Sequence, residues 1–296
     1  MKKILLISVL SLSLFGFEYN LTPKKVSDNV WCFFGKLEGP KKSNGGNMVN
    51  TCYIATNNSF VVFDSGPTYE YARQAYKEMS RIKQLDVNTV ITSHNHDDHW
   101  LGNSFYKENF NAKLVGIHPG EELRMFDILS KDAIKNTKVV EIDDYIKKNT
   151  TLNIDGEVFE IISIGYKAHT QEDIFVYLPK RKVLFASDLV MNGRITSNRD
   201  GSVIGQLKAI ELINKKDWEV LIPGHGFIID KTATDEAKLY FTLLQKRVQK
   251  ALDDEVDSVD LNEVVKMDEF KEKAMFKFLN SQNVLDAYDE LEFLED

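Results

Sequence analysis

The chain has 296 residues, of which 43% are hydrophobic and 28% are charged, and its formal net charge is −8 at pH 7. This length and composition are typical of a folded protein with one large domain or two small ones. Because the chain is acidic and has no basic stripe, its charge argues against nucleic acid or an anionic membrane as the main partner.

The first 17 residues predict a secretory signal peptide. Lys2 and Lys3 precede an apolar run, residues 4–15, that is too short to span a membrane comfortably. Cleavage is expected near Gly16 or Phe17, which would leave a soluble periplasmic or secreted protein, since no later run is long enough to cross a membrane. The alternative is a buried N-terminal strand or helix, because the cleavage site is not a clean small-x-small pattern.

Two cysteines, Cys32 and Cys52, lie in β-rich runs on either side of a loop that is rich in Gly, Lys and Asn. An antiparallel hairpin could place their sulfur atoms opposite each other, and an exported protein could then form a disulfide. Two buried free thiols are an equal alternative, because strand register cannot be read from sequence. The loop that opens at Leu37-Glu38-Gly39-Pro40 and runs through Gly45 and Gly46 is either a mobile flap over a cleft or a plain surface hairpin loop.

Short β-rich runs and amphipathic segments follow one another along the rest of the chain. β-Branched and aromatic runs predict strands, and apolar residues at helical spacing predict helices. The predicted strands cover residues 60–63, 88–92, 113–117, 151–154, 157–164, 173–178, 182–186 and 218–222, and the predicted helices cover residues 69–83, 121–129 and 202–214.

The most informative stretch is residues 93–103, which holds three of the six histidines of the chain and directly follows a predicted strand. His94 and His96 are two residues apart, so in extended backbone both imidazoles point the same way and can share one metal ion. If the chain turns afterwards, Asp98 and His99 can face a second metal ion. A solvated polar loop is the alternative, and this density of metal donors disfavours it.

Three later donors, His169, Asp188 and His225, each closely follow a predicted strand. If these strands end at one edge of a sheet, their loops converge with the histidine-rich stretch in a single cleft. His118 also follows a strand but has no donor neighbours, so a structural loop histidine is favoured over a ligand.

These motifs resemble the metallo-β-lactamase superfamily, whose members carry an H-x-H-x-D-H motif followed by later His, Asp and His ligands. The resemblance runs from about Val30 to Lys250 and includes Phe63-Asp64-Ser65-Gly66, residues 94–99, Ala168-His169-Thr170, Phe185-Ala186-Ser187-Asp188 and Ile222-Pro223-Gly224-His225-Gly226. It implies an α/β fold, a four-layer αβ/βα sandwich of two mixed sheets with helices outside and metals at one edge. Residues 18–250 would form the hydrolase domain, and residues 251–296 a C-terminal helical extension.

The resemblance also implies a site with two zinc ions. It places His94, His96 and His169 on the first zinc, Asp98, His99 and His225 on the second, and Asp188 between both. Such a pair of ions would share a hydroxide that attacks an ester, thioester, lactone or related bond. Asp98 is expected to be the catalytic residue, orienting the nucleophile and passing a proton to the leaving group. Asp64 and Asp97 are expected to support the ligands or to shape turns.

Departures from the family pattern bear on the substrate. Zinc β-lactamases of the best-known type carry Cys where Asp188 stands and Lys where Met191 stands, whereas Asp is typical of glyoxalase II-like, lactonase-like and phosphodiesterase-like relatives. Many members have Gly in place of Ala168, which affects loop shape. The main prediction is an exported dinuclear zinc hydrolase of a small molecule. The alternatives are a zinc β-lactamase, a mononuclear iron oxidoreductase similar to sulfur dioxygenases, and a non-catalytic accessory protein of an exported oxidation system.

Charged residues after the bridging aspartate leave substrate recognition open. Arg194, Arg199 or Lys208 could bind an anionic substrate, but solvated loop and helix charges are the favoured interpretation. Asp200 lies in a loop without a donor pattern, so its replacement by Asn is predicted to change little.

The composition changes after about residue 251. An acidic linker, residues 253–257, precedes helical patterns at residues 261–279 and 284–293. Residues 279–292 resemble the tail of exported superfamily members linked to quinoprotein oxidation systems. A helical cap packed on the sandwich is favoured over a helix that docks a protein partner.

Overall fold

The computed structural model describes residues 16–293, which form two β-sheets covered by helices. The apolar run of the predicted signal peptide, residues 4–15, lies outside the described residues. Within residues 16–293, no helix combines the length and the apolar character that a membrane span requires.

The first sheet has seven strands, which lie side by side in chain order. Its strands are β1 Lys24–Ser27, β2 Val30–Phe33, β3 Thr51–Ala55, β4 Phe60–Phe63, β5 Val87–Thr92, β6 Lys113–Gly116 and β7 Asp144–Tyr145. Neighbours from β1 to β4 pair antiparallel, and those from β4 to β7 pair parallel. Parallel neighbours need crossover connections, so the carboxyl ends of β4, β5 and β6 meet at one edge.

The second sheet has five strands in the order β12-β11-β10-β9-β8. Its strands are β8 Thr150–Ile154, β9 Glu157–Ser163, β10 Ile174–Leu178, β11 Val183–Met191 and β12 Val220–His225. All neighbours pair antiparallel except β11 and β12, which are parallel. Both sheets are therefore mixed, as the resemblance implies.

Eight α-helices and two short 3₁₀-helices complete the described residues. The α-helices are α1 Tyr69–Ile82, α2 Asp97–Trp100, α3 Asn103–Phe110, α4 Arg124–Ile128, α5 Val203–Asn214, α6 Asp235–Asp253, α7 Leu261–Val264 and α8 Phe276–Glu292, and the 3₁₀-helices are Ser258–Asp260 and Asp268–Phe270. The predicted helix at residues 121–129 is thus shorter than expected, and the predicted domain boundary at residue 250 falls in the last turn of α6.

Apolar side chains form three layers that separate the sheets from each other and from the helices. The layer between the sheets includes Phe63 from β4 and Phe185 from β11, whose ring centroids lie 5.2 Å apart. The outer face of the first sheet packs on α1 and α3 through residues such as Tyr71 and Phe105. The outer face of the second sheet packs on α5 and α6 through residues such as Phe241. The predicted four-layer αβ/βα sandwich is confirmed.

Cys32 in β2 and Cys52 in β3 lie directly opposite each other in the first sheet and form a disulfide. Their Cα atoms are 4.1 Å apart, so the two strands bring the sulfur atoms together without a loop rearrangement. Of the two alternatives that the sequence left open, the disulfide is the one that the structure contains.

The C-terminal helices pack against the second layer of helices and share its apolar core through residues such as Leu261, Phe270 and Val284. The predicted helix at residues 261–279 is interrupted. Ala274 leaves the helical conformation and pairs with the loop after β11, where Ile195 N donates to Ala274 O at 2.9 Å. The extension therefore lies on the sandwich as a cap, and docking of a partner protein by these helices stays a prediction.

Candidate metal centre

The structure brings all of the sequence-predicted ligands to one edge of the sandwich. The β5–α2 connection carries His94 and His96, and α2 carries Asp98 and His99. The β9–β10 loop carries His169, β11 carries Asp188 and the last position of β12 is His225. His96 has extended backbone and immediately precedes α2, so the change from strand to helix turns the later donors away from the earlier ones.

One group consists of His94, His96, His169 and Asp188, which offer ligand atoms within 4.8 Å of one another. His96 Nδ1 lies 3.1 Å from His169 Nε2. Asp188 Oδ2 lies 3.2 Å from His169 Nε2 and 3.7 Å from His94 Nε2. Three imidazoles and a carboxylate at these distances are a donor set that suits Zn²⁺ or a similar ion.

The second group consists of Asp98, His99 and His225. Asp98 Oδ2 lies 3.6 Å from Nε2 of both histidines. Asp188 Oδ1 lies 3.3 Å from His99 Nε2 and 3.4 Å from His225 Nε2. Asp188 therefore faces the first group with one carboxylate oxygen and the second group with the other.

Asp188 lies inside β11 and not after its end, as the sequence predicted, because the strand continues to Met191. The pairing of β11 with β12 changes register on either side of Ser187, whose φ of 48° is left-handed. Such irregularities re-aim side chains, which explains how a residue within a strand can face a cleft. A Cβ at Gly224 of β12 would lie 1.9 Å from Asp188 Oδ1, so the carboxylate fits only because position 224 is glycine.

Four buried polar atoms in these groups have no hydrogen-bond partner among the described residues: His94 Nε2, His99 Nε2, Asp188 Oδ1 and His169 Nδ1. Leaving a buried polar atom unpaired costs about 1–3 kcal/mol. Bound cations would satisfy the first three of these atoms at once, and neutral imidazole and carboxylate are ordinary zinc ligands. The residues therefore fit the metal site that the fold family implies.

The back of the site is held by Asp64, which is fully buried. Its carboxylate accepts hydrogen bonds from His99 Nδ1 at 2.8 Å, from Ser93 N at 2.9 Å and from the Ser187 hydroxyl at 2.9 Å. With Nδ1 donating, the Nε2 lone pair of His99 is left for a metal. The Ser93 hydroxyl lies 2.8 Å from His94 Nδ1 and orients that ring in the same way.

His225 is oriented by the loop between β2 and β3. His225 Nδ1 donates to Met48 O at 2.6 Å, and Asn50 Nδ2 donates to Pro223 O at 2.9 Å. Residues 44–50 are all buried. The second half of this loop is therefore part of the site wall and not a plain surface loop, and a mobile flap stays a prediction.

His96 has a carboxylate behind it that the sequence did not reveal. Its Nε2 lies 3.0 Å from Asp200 Oδ2, which also accepts from Arg199 Nε at 2.7 Å. Both hydrogen bonds hold the pKa of Asp200 far below its ordinary value, and the bond from His96 has the larger effect. The expectation that Asp200 is an ordinary loop residue was wrong. It lies 104 residues from His96, and no local spacing links the two.

The histidines differ in how they hold protons without a metal. Burial, together with the nearby His99, lowers the pKa of His94 well below its ordinary value. Burial also opposes protonation of His99, but the charges of Asp188, Asp98 and Asp64 outweigh it and raise the pKa of His99 well above its ordinary value. His94 is thus ready to ligate at neutral pH, whereas His99 must first release a proton.

A cavity of about 180 Å³ opens onto the donors, and Arg194, Arg199 and Lys208 differ in their positions relative to it. Arg194 lines the cavity and is only 8% exposed, so its interpretation as a solvated charge was wrong. Arg199 also lines the cavity, but its guanidinium pairs with Asp200 at 2.7 Å and with Glu122 at 2.8 Å. Lys208 is exposed on α5, as expected.

Two other residues lie close to the donors without joining them. The side chain of His118 is 51% exposed and stacks on Tyr145, with ring centroids 4.5 Å apart, in agreement with a structural loop histidine. Asp97 is buried and accepts from Met125 N at 2.7 Å, which fixes the start of α4. Burial, reinforced by the charge of Asp98, raises the pKa of Asp97 to about 7.

Known proteins share both the sequence pattern and the architecture. A family model described as the metallo-beta-lactamase superfamily matches residues 44–225. A metallo-beta-lactamase type 2 from Elizabethkingia meningoseptica is 24% identical over 245 residues, which cover 78% of this chain and 89% of the relative. A hydroxyacylglutathione hydrolase from Polaromonas sp. is 26% identical over 173 residues, which cover 56% of each chain.

Among solved structures, the sec-alkylsulfatase Pisa1 from Pseudomonas sp. superposes with a TM-score of 0.69 at 17% sequence identity. The superposition covers 91% of this chain and 50% of the sulfatase. At this level of identity, the likeness extends to the fold alone.

Proposed function

The chain belongs to the metallo-β-lactamase superfamily, and from that premise we propose that it is an exported hydrolase that holds two zinc ions. It cleaves an ester, thioester, lactone or related bond in a small molecule. The observation that carries this proposal is the position of Asp188, whose two carboxylate oxygens face two separate histidine groups at 3.2–3.4 Å.

The two groups divide the ligands between the ions. His94, His96 and His169 would hold the first zinc, Asp98, His99 and His225 would hold the second, and Asp188 would contribute to both. Bound zinc supplies Lewis acidity and lowers the pKa of water, which is the chemistry that hydrolysis at neutral pH requires. The unpartnered Nε2 atoms of His94 and His99 support this assignment.

Asp98 acts on the reacting groups. It lines the cavity, and its Oδ2 lies 3.6 Å from two histidine Nε2 atoms, so the carboxylate is fixed where a water and a leaving group would meet. Burial raises the pKa of Asp98, but the charges of His99 and His225 outweigh it and lower the pKa below its ordinary value. The ionised carboxylate can orient the attacking water, accept its proton and pass that proton to the leaving group.

β-Lactam hydrolysis is the second candidate, and the similarity to the Elizabethkingia metallo-beta-lactamase favours it. Two residues argue for the first candidate instead. Asp188 stands where the best-known zinc β-lactamases carry Cys, and Met191, which lines the cavity, stands where they carry Lys. A mononuclear iron enzyme is less well supported, because it would not need the convergence of all seven donors.

A substrate panel tests the reaction. Purified zinc-loaded protein is assayed with a lactone, a thioester, a phosphodiester and a β-lactam, alongside the Asp98→Asn variant. We expect turnover of the lactone or thioester, and a loss of about 100-fold or more in the variant. Asp132→Asn is the matched control, since Asp132 is exposed and does not line the cavity. Turnover of the β-lactam alone would support the second candidate, and no turnover at all would support the accessory-protein alternative.

The proposal of export rests on the predicted signal peptide and is supported by the disulfide between Cys32 and Cys52, since disulfides persist in oxidising compartments. In a bacterial host, mass spectrometry of the periplasmic protein should find the mature N-terminus near Phe17 or Glu18. Intact Met1 on protein from the cytoplasmic fraction would contradict export.

A further inference from the structure

Phe17 and Tyr19 lie against the wall loop, which is the buried stretch of residues 44–50 that orients His225. The ring of Tyr19 is buried, and its hydroxyl donates to Gly45 O at 2.8 Å. A Cβ at Gly45 would lie 2.5 Å from Phe17 Cε1 and 2.8 Å from Tyr19 Cε1, so both rings touch this glycine closely. The two rings therefore fit the wall loop at a position that any side chain would block.

The other side of the N-terminal segment is anchored to α1. Gln74 Nε2 donates to Phe17 O at 2.6 Å, and Gln74 Oε1 accepts from Tyr19 N at 2.9 Å. The Tyr19 hydroxyl also lies 2.8 Å from the hydroxyl of Thr68, which is the N-cap of this helix. Tyr19 and Tyr71 meet edge to face, with ring centroids 5.2 Å apart. Because α1 packs on the first sheet, Phe17 and Tyr19 join the wall loop to the rigid core of the fold.

The donors of the second group are supported by the apolar cluster on which Phe17 packs. This cluster contains Met48, Trp100 and Leu101. Met48 O accepts the Nδ1 proton of His225. Trp100 is the last residue of α2 and Leu101 follows it, and this helix carries the other two donors of the group. The second group therefore rests on a cluster to which the N-terminal segment contributes.

We propose that Phe17 and Tyr19 are positioning residues for the second metal ion, because they hold the wall loop that orients His225. With the loop in place, Met48 O keeps the proton on Nδ1 of this histidine and leaves Nε2 to ligate. For zinc, the inference rests on the proposed function. Phe17 and Tyr19 are not among the described residues that line the cavity, so they act through the loop and not on a substrate.

The first test follows the Nδ1 proton of His225. Since the chain has six histidines, NMR of the full chain with nitrogen-15-labelled histidine can follow the exchange of this proton with water. Tyr19→Phe keeps the ring but loses the hydrogen bond to Gly45 O, so we expect exchange to become about 10-fold faster. Phe17→Ala should have a similar effect, and Phe17→Leu should restore most of the parent rate because it refills most of the volume.

The second test is zinc titration of the full chain against a competing chelator. Tyr19→Phe and Phe17→Ala should weaken the second step of zinc binding about 10-fold. The first step should change little, because the histidines of the first group that lie near α2 are oriented by Ser93 and Asp200.

Tyr177→Phe is the matched control. Tyr177 is also buried, and its hydroxyl donates to Asp217 O at 2.8 Å, beyond the opposite end of β12 from His225. This variant should leave both the exchange rate and the second step of zinc binding unchanged. Parent-like exchange in both Tyr19→Phe and Phe17→Ala, or an equal change in Tyr177→Phe, would overturn the proposal.

These outcomes separate the positioning role from the proposed function. If the parent binds one zinc ion and Tyr19→Phe still exchanges faster, the positioning role stands and the dinuclear proposal fails. If two zinc ions bind and exchange is unchanged in every variant, the dinuclear proposal stands and the positioning role fails. A mature N-terminus at Glu18 would overturn the role of Phe17, whereas intact Met1 would contradict export and leave that role in place.

Discussion

Asp200 Oδ2 lies 3.0 Å from Nε2 of His96, on the opposite side of the imidazole from His169. A carboxylate in this position fixes the tautomer of the ring, because Nε2 must carry the proton that it donates. Nδ1 is then left with its lone pair toward the other donors. Asp200 therefore decides which nitrogen of His96 is available to a metal.

Replacement of Asp200 by Asn should weaken zinc binding about 10-fold to 100-fold, because the ring loses its charged acceptor and its orientation. Zinc titration against a competing chelator measures this change. Asp132→Asn, at an exposed position, should leave zinc affinity unchanged. Parent-like affinity of Asp200→Asn would mean that the hydrogen bond seen here has no part in holding metal.

Zinc binding should release about one proton from His99 at pH 7, since imidazole must be neutral to ligate. The sign follows from the pKa of His99, which Asp188, Asp98 and Asp64 raise well above its ordinary value against the opposing effect of burial. The metal-free protein thus carries this proton at pH values below the raised pKa of His99 and loses it at pH values above that pKa. Calorimetry in buffers of different ionisation enthalpy counts the proton, and a binding enthalpy that is the same in every buffer would refute the prediction.

Asn283 links the C-terminal cap to the loop after β11. Its side chain accepts from Asn198 N at 2.9 Å and donates to Thr196 O at 2.7 Å and to the Tyr240 hydroxyl at 2.9 Å. Asn283→Ala should lower the free energy of unfolding by about 2–3 kcal/mol, because buried partners lose their hydrogen bonds.

Chemical denaturation of the Asn283 variant measures that loss. Gln282→Ala is the control, since Gln282 is exposed and bonds only Asp286 on its own helix among the described residues. A loss no larger in Asn283→Ala than in this control would show that the cap does not support the loop that carries Arg194.

The strands and most donors of the site were predictable from local patterns. The run at residues 88–92 is β-branched and apolar and is followed by a histidine-rich stretch, and the structure has a strand there, Val87–Thr92. His169 and His225 also lie where the sequence predicted them. His169 follows a strand with a strong apolar pattern, and His225 is the last residue of another such strand. For Cys32 and Cys52, the sequence alone could not decide between a disulfide and free thiols, because the register of a strand depends on its partner strand.

The remaining features depend on contacts between distant segments. Asp188 was expected after a strand, but β11 continues beyond it to Met191, with register changes on either side of Ser187. The helical pattern at residues 261–279 is broken by pairing of Ala274 with the β11 loop. Arg194, which is buried, is the partner of Ala274 in that same contact. No spacing in the sequence encodes such tertiary pairings, so local propensity was overridden.

The variant Asp188→Asn tests most directly whether Asp188 joins two metal ions. Asparagine keeps the size of the side chain but removes the charge that both histidine groups face. Elemental analysis after dialysis should find about two zinc ions in the parent chain and about one in the variant. Two tightly bound zinc ions in Asp188→Asn, with turnover equal to that of the parent, would contradict the dinuclear account.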